Sequence, residues 1–171
     1  MALVVETGAG LANADAYVSV AGFDSYFAAR YPLDAQFVIE DREKAVRRAT
    51  MWVDARYRSR FPGTRRQGRL QALEWPRSGA CDNAGWAVAH DAVPSEIIAA
   101  TCEAAQRELT EPGILAPDLE RGGAVKRIQA GSVEIEYGAN SIAGTLFTVI
   151  DNVLGSLLVA QSPYSGRAVR G

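Results

Sequence analysis

A chain of 171 residues with 48% hydrophobic and 22% charged side chains can bury a core within one domain, and its ordinary composition excludes wholesale disorder. The formal charge of -2 excludes a protein that coats nucleic acid over its whole surface, so any polyanion contact has to be local. No segment offers the ~20 apolar residues that span a bilayer, and the opening MALVVETGAGLANADAYVSV has no basic stretch followed by a long apolar run. A cytoplasm-like compartment and no membrane partner are expected.

In chain order, the apolar residues Leu3 to Val5 lead into ETGAGLANADAY, which reads as loop. Ser19 is placed to cap a helix over about residues 20–30, with Val20, Phe23, Phe27 and Tyr26 on its apolar stripe and Pro32 ending it. A longer helix runs from about Gln36 or Glu40 to Tyr57. Its inward face repeats Ala45, Val46, Ala49, Trp52, Val53 and Arg56 at three and four residues, and its outer face is charged. Residues 58–93 hold no sustained period, and PGTRRQG, WPRSG and DNAG read as turns; an excursion of that length, ordered or half-ordered, is often functional. Pro94 then opens a helix carrying Ile97, Ile98, Thr101, Cys102, Ala105 and Leu109, which ends before Pro112 and Gly113.

Beyond it, AVKRIQA and SVEIEYG alternate about Gly131 and predict a β-hairpin over about 124–138, its basic strand (Lys126, Arg127) facing an acidic one (Glu134, Glu136). A last helix over about 146–159 carries Phe147, Ile150, Val153, Leu154, Leu157 and Leu158. The end, QSPYSGRAVRG, cannot pack a core of its own. The expected organisation is a single helical domain over 1–160 and a flexible C-terminal arm over 161–171.

Catalytic chemistry has little support. The single histidine, His90, stands beside Asp91 in a turn, where a solvated surface role is the ordinary one. Cys81 and Cys102 lie twenty-one positions apart without a CxxC or a histidine pair, so they read as reduced thiols. ETGAGLANA matches neither a P-loop nor a dinucleotide fingerprint, and the carboxylates alternate with basic residues as on a solvated face. Neither an enzyme, a cofactor nor a metal site is expected.

The arginines are uneven. Between Arg42 and Arg77 eleven basic residues stand against three acids (Glu43, Asp54, Glu74), and Arg56, Arg58, Arg60, Arg65, Arg66 and Arg69 follow one another from residue 55 with no acid among them. Guanidinium forks bind phosphates or carboxylates bidentately, and Tyr57, Phe61 and Trp75 interleave aromatic faces on which bases or guanidinium groups could stack. A phosphate-facing rim along which DNA passes and a salt-bridged contact to an acidic neighbouring subunit both fit.

GLANADAYVSVAGFDSYFAAR, RRATMWVDARYR, QALEWPRSGACDNAGW, VPSEIIAATCEAA and DLERGGAVKRIQAGSVEIEYG, in that order, resemble a group of small tailed-phage and prophage proteins labelled DnaT-like single-stranded DNA-binding proteins. The resemblance covers about residues 10–158. The group's place is similar to that of head-tail connector adaptors, which form a homo-oligomeric ring, usually of twelve subunits, beneath the capsid portal. That resemblance implies a mainly α fold: about four helices in a small bundle, a β-hairpin and long loops. It implies as partners other copies of the chain, the portal protein, a downstream neck or tail-completion protein and, transiently, genomic DNA. It places the protein in the virion neck, and in the host cytoplasm during assembly.

A primosomal single-strand binder would show a basic groove and a more basic total than a pI near 5.5. The charge-split hairpin, the long central segment and the arm suit a ring adaptor better. The sequence reading is therefore a structural connector, with single-stranded DNA binding as the alternative. Arg56, Arg58, Arg60, Arg65, Arg66 and Arg69 are its DNA- or subunit-contacting residues, and Trp75 with Pro76 forms a tucked corner. On the arm, Tyr164, Arg167, Val169 and Arg170 are the portal-docking residues.

Overall fold

A computed structural model describes residues 2–30, 37–116, 127–130, 133–136 and 147–159. The fold is mainly α. Its described elements are α1 (Val20–Ala28), α2 (Ile39–Tyr57), β1 (Thr64–Arg65), a 3-10 turn (Gly68–Leu70), β2 (Arg77–Ser78), α3 (Ser95–Thr110), β3 (Arg127–Ala130), β4 (Val133–Glu136) and α4 (Thr148–Leu154).

Ser19 caps α1 as its sequence position requires: its Oγ accepts from Gly22 N at 3.1 Å. Phe23 and Phe27 pack against each other one turn apart, ring centroids 5.1 Å. Helix α2 starts after Val38 without a side-chain cap; Glu40 and Asp41 in its first turn and Arg56 in its last instead complement the helix dipole. Its buried face is Ala45, Val46, Ala49, Thr50, Val53, Asp54 and Tyr57. Trp52 is only half-buried and Arg56 is exposed, so the inward stripe is rotated towards Thr50, Asp54 and Tyr57 relative to the periodicity reading. The polar members of that face are tolerated because each finds a hydrogen-bond partner.

Helix α3 is buried on most of its circumference and packs between α2 and α4. Alanines at Ala45 and Ala49 on α2 and at Ala100, Ala104 and Ala105 on α3 let the backbones approach. The short α4 closes the bundle through Ile150 and Leu154, while Phe147 meets Trp52 edge to face at 5.2 Å and Tyr57 donates to Asp151 at 2.6 Å. Beyond α4 the chain turns through residues 155–157 rather than continuing as helix, and Leu157 and Leu158 are buried from that turn.

Strands β3 and β4 form the expected antiparallel hairpin, with Arg127 opposite Glu136 and Gln129 opposite Glu134. Lys126 and the C-terminal arm, including Tyr164, Arg167, Val169 and Arg170, lie outside the described residues.

Residues 58–93 form a clasp, the ordered one of the two alternatives that the sequence allows. Strands β1 and β2 pair antiparallel, Thr64 with Ser78 and Arg65 with Arg77. Phe61, Leu73, Trp75 and Ala80 enter the core, and this burial is what orders a segment without periodicity. Buried Gln71 donates through Nε2 to the carbonyls of Leu73 and Pro76, which closes the corner between them. At Gly63 the backbone has φ +66°, and a Cβ there would stand 2.4 Å from the Ser78 carbonyl oxygen, so glycine is required to start the clasp.

Candidate nucleic-acid interface

The corner carrying Trp75 is fixed from α2. Asp54, at 6% exposure, accepts from Tyr17 Oη at 2.6 Å and from the Glu74 amide at 3.0 Å, while Tyr17 Oη accepts from the Trp75 amide at 3.0 Å. Burial pushes the Asp54 carboxyl up to about 6, against the two donors that favour its ionised form. The same burial, together with the nearby Asp54 charge, raises Tyr17 well above an ordinary phenol. One buried carboxylate thus anchors the N-terminal segment and the clasp to α2.

Around this anchor the basic residues fall into two sets. Arg42 pairs with Asp24, Lys44 with Asp41, Arg47 with Asp15, Arg48 with the buried Glu108, and Arg77 with Glu74. Arg77 is itself buried and also donates to the carbonyls of Pro62 and Gly63, making it part of the clasp. Arg56, Arg58, Arg60, Arg65, Arg66 and Arg69 form no ion pair with any carboxylate among the described residues. Between Arg42 and Arg77, the six arginines that follow one another in the sequence are therefore also the ones without an ion pair among the described residues.

They differ in what holds them. Arg56 is exposed at the end of α2, its guanidinium 5.5 Å from the Trp52 ring and 5.6 Å from the Tyr57 ring. Arg58 is exposed, returns one bond through Nε to the Asp54 carbonyl, and lines a shallow groove with Met51, Ala72 and Leu73. Arg60 is half-buried, with Nε out of solvent and unpartnered. Arg65 donates to the Gln71 carbonyl at 3.2 Å and Arg66 to the Gly8 carbonyl at 2.8 Å, whereas Arg69 is exposed on the 3-10 turn. Segment 71–73 is the common neighbour: Arg58 flanks it from α2 and Arg65 from β1. The structure thus brings Arg58 and Arg65 to one segment, and it gives Arg65 and Arg66 a bracing bond each.

The aromatic half of the sequence reading takes a different place. Tyr57 and Trp75 are fully buried and Phe61 nearly so, joined by edge and tilted contacts at 6.5 Å (Tyr57 to Phe61) and 5.6 Å (Phe61 to Trp75). They are core, unavailable for stacking on bases. The tryptophan left to solvent is Trp86, 75% exposed.

The glycine loop after Val5 is also accounted for. Buried Glu6 accepts from Gly8 N, Gly10 N and Leu11 N at 2.8–3.0 Å, so the chain's own carboxylate fills the amide cradle that a phosphate would need. His90 and Cys81 are exposed, and burial pushes the Cys102 thiol up to about 12. No group of three or more metal-ligating side chains occurs among the described residues, and no helix among them is long and apolar enough to cross a membrane.

Fold and surface define a small, mainly α domain that presents an arginine stretch without ion pairs among the described residues. The chain belongs to the family described as "Putative DnaT-like ssDNA binding protein", which matches residues 1–171. No protein of curated function and no solved structure matches the chain.

Proposed function

We propose that the protein contacts DNA through its phosphate backbone, without reading sequence, using the arginine surface at the end of α2 and on the clasp. The observation that carries this reading is the division of the basic residues between Arg42 and Arg77: five pair with carboxylates, and six successive arginines have no carboxylate partner among the described residues. The family's description supports it. Arg56, Arg58 and Arg69 make the outer contacts. Arg65 and Arg66 each commit one N–H inward and keep the remaining donors of the fork for a phosphate. Contacts of this kind position a strand but discriminate no base. The test is arginine-selective modification read by mass spectrometry with and without an oligothymidylate. Protection of Arg56, Arg58 and Arg69, with Arg48 and Arg107 unchanged, is expected; protection spread evenly over all arginines contradicts the surface.

A second reading, a head-tail connector, is favoured by one observation in particular. Tyr57, Phe61 and Trp75 lie in the core, so these three rings give the arginines no stacking platform of the kind on which single-strand binders gain about 1–3 kcal/mol per base. In that setting the same arginines face passing genomic DNA or a neighbouring subunit in a homo-oligomeric ring beneath the portal, in the virion neck. A downstream neck protein and the portal are then its partners, Tyr164, Arg167, Val169 and Arg170 dock on the portal, and the role is mechanical, with no cofactor. Native mass and particle imaging with and without portal separate the two. A closed ring on the portal decides for the connector, and a monomer that coats single strands decides against it.

A further inference from the structure

The face around Trp86 is the chemical opposite of the arginine surface. From Ser78 to Gln106 the chain contains no lysine or arginine, and of its acids Asp82 and Glu96 stand at the groove beside Trp86. Trp86 is held there on a fixed turn. Cys81 bridges Ala87, the Asp82 amide donates to the Trp86 carbonyl at 2.9 Å, and Asp82 Oδ1 accepts from the amides of Ala84 and Trp86 at 2.9 and 2.8 Å. Asn83 ties this turn to the end of α4, its Nδ2 donating to the Gly155 carbonyl at 2.6 Å and its amide to the Ser156 carbonyl at 2.8 Å. Trp86 borders an open groove whose walls include Val88, Val93, Pro94 and Leu157, and whose charged lining among the described residues is Asp82 and Glu96. A large indole fixed in this position and left to water is a surface built to be covered.

The sequence that follows fits that groove. Leu157 is a groove wall, and the described chain ends two residues later at Val159, whose amide donates to the Arg60 carbonyl. Residues 160–171, AQSPYSGRAVRG, carry Tyr164, Val169, Arg167 and Arg170 and no acid. Twelve residues reach at most about 40 Å, far more than the distance back to a wall two residues away. A tether this short also gives its own groove an effective concentration on the order of millimolar.

We propose that residues 160–171 dock in the Trp86 groove of their own chain. Tyr164 lies against the indole, and Arg167 and Arg170 meet Asp82 and Glu96. Asp82 keeps Oδ2 free for this while Oδ1 holds the turn, and Glu96 keeps Oε1 free while Oε2 accepts from Ser95. Docking covers the most exposed tryptophan and neutralises two arginines that would otherwise add to the basic surface.

Native Cys81 is exposed beside Asp82 and supplies the probe, while Cys102 is buried. In the full-length chain carrying Val169→Cys, diamide should form an intrachain disulfide between Cys81 and position 169, at a rate independent of protein concentration. Adding Arg167→Glu and Arg170→Glu should slow it about tenfold, the loss of roughly 1.4 kcal/mol from two exposed pairs. The same charge reversals should increase acrylamide quenching of the Trp86 emission, taken as the difference from Trp86→Phe. Cross-linking no faster than with a cysteine placed at exposed Ala2, or only between chains, overturns the proposal. So does Trp86 quenching that is unchanged by the reversals.

Discussion

Asp54 is the residue with the most connections and the least conspicuous place in the sequence. It joins Tyr17, Glu74 and, through Tyr17, Trp75, and its carboxyl is pushed up to about 6 by burial. With the folded value above the ordinary 3.8, the native state holds the extra proton between about pH 4 and 6. Stability contributed by this group is therefore greatest below pH 4 and falls as pH rises through 6, by up to about 3 kcal/mol. In Asp54→Asn this component of the pH dependence should vanish, with a constant loss because an amide Nδ2 would face the Glu74 N–H as donor to donor. Urea midpoints from pH 4 to 7 check it; parallel curves for the two proteins contradict it. The arginines separate at the same scale. Arg66→Ala leaves the buried Gly8 carbonyl without its donor and should cost about 1–2 kcal/mol, whereas Arg69→Ala should stay within about 0.5 kcal/mol, both read from denaturant midpoints. Equal costs would show that the Arg66 bond contributes nothing.

At the scale of elements, what the sequence shows clearly is what depends on local chemistry. Ser19 before Val20, the run from Ala45 to Val53 and the Pro94 boundary each carry a cap, a period or a breaker, and the helices fall where those signals stand. The alternation on either side of Gly131 places the hairpin and its register in the same way. The clasp is different. Strands of two residues have no period, and their pairing depends on Gly63, on the side chain of Gln71 and on Arg77, which reads as a surface charge until its partners are known. Glu6, Asp54 and Glu108 give no signal in the sequence for the same reason: a buried carboxylate is defined by distant donors, and spacing carries no trace of them. Trp75 and Phe61 read as stacking faces, and Trp75 also as a tucked corner; the structure keeps the corner, since flanking arginines say nothing of which side of a turn meets the core. If Gly63 starts the clasp as described, Gly63→Ala should cost about 2 kcal/mol or more, from the left-handed backbone and the clash with the Ser78 carbonyl, and should weaken near-UV circular dichroism. A loss below about 0.5 kcal/mol would mean that the segment adapts freely.

For the whole molecule, a formal charge of -2 coexists with six arginines that have no ion pair among the described residues and with a run of almost thirty residues that has no lysine or arginine. The distribution of charge, more than its total, determines what such a chain attracts. The arginine cluster was legible as a run in the sequence; its division into outer contacts and bracing residues was not, because Arg65 and Arg66 find their carbonyl partners only once the clasp has closed. The central claim is that Arg56, Arg58 and Arg69 meet DNA phosphates. It is tested most directly by the salt dependence of oligothymidylate affinity, measured by fluorescence anisotropy for the native chain and for Arg56→Ala/Arg58→Ala/Arg69→Ala. Each lost phosphate contact removes about 0.7 from the slope of log affinity against log salt for a single strand, so the triple variant should be shallower by about 2 with its unfolding midpoint unchanged. An identical slope and affinity in the two proteins would contradict the assignment.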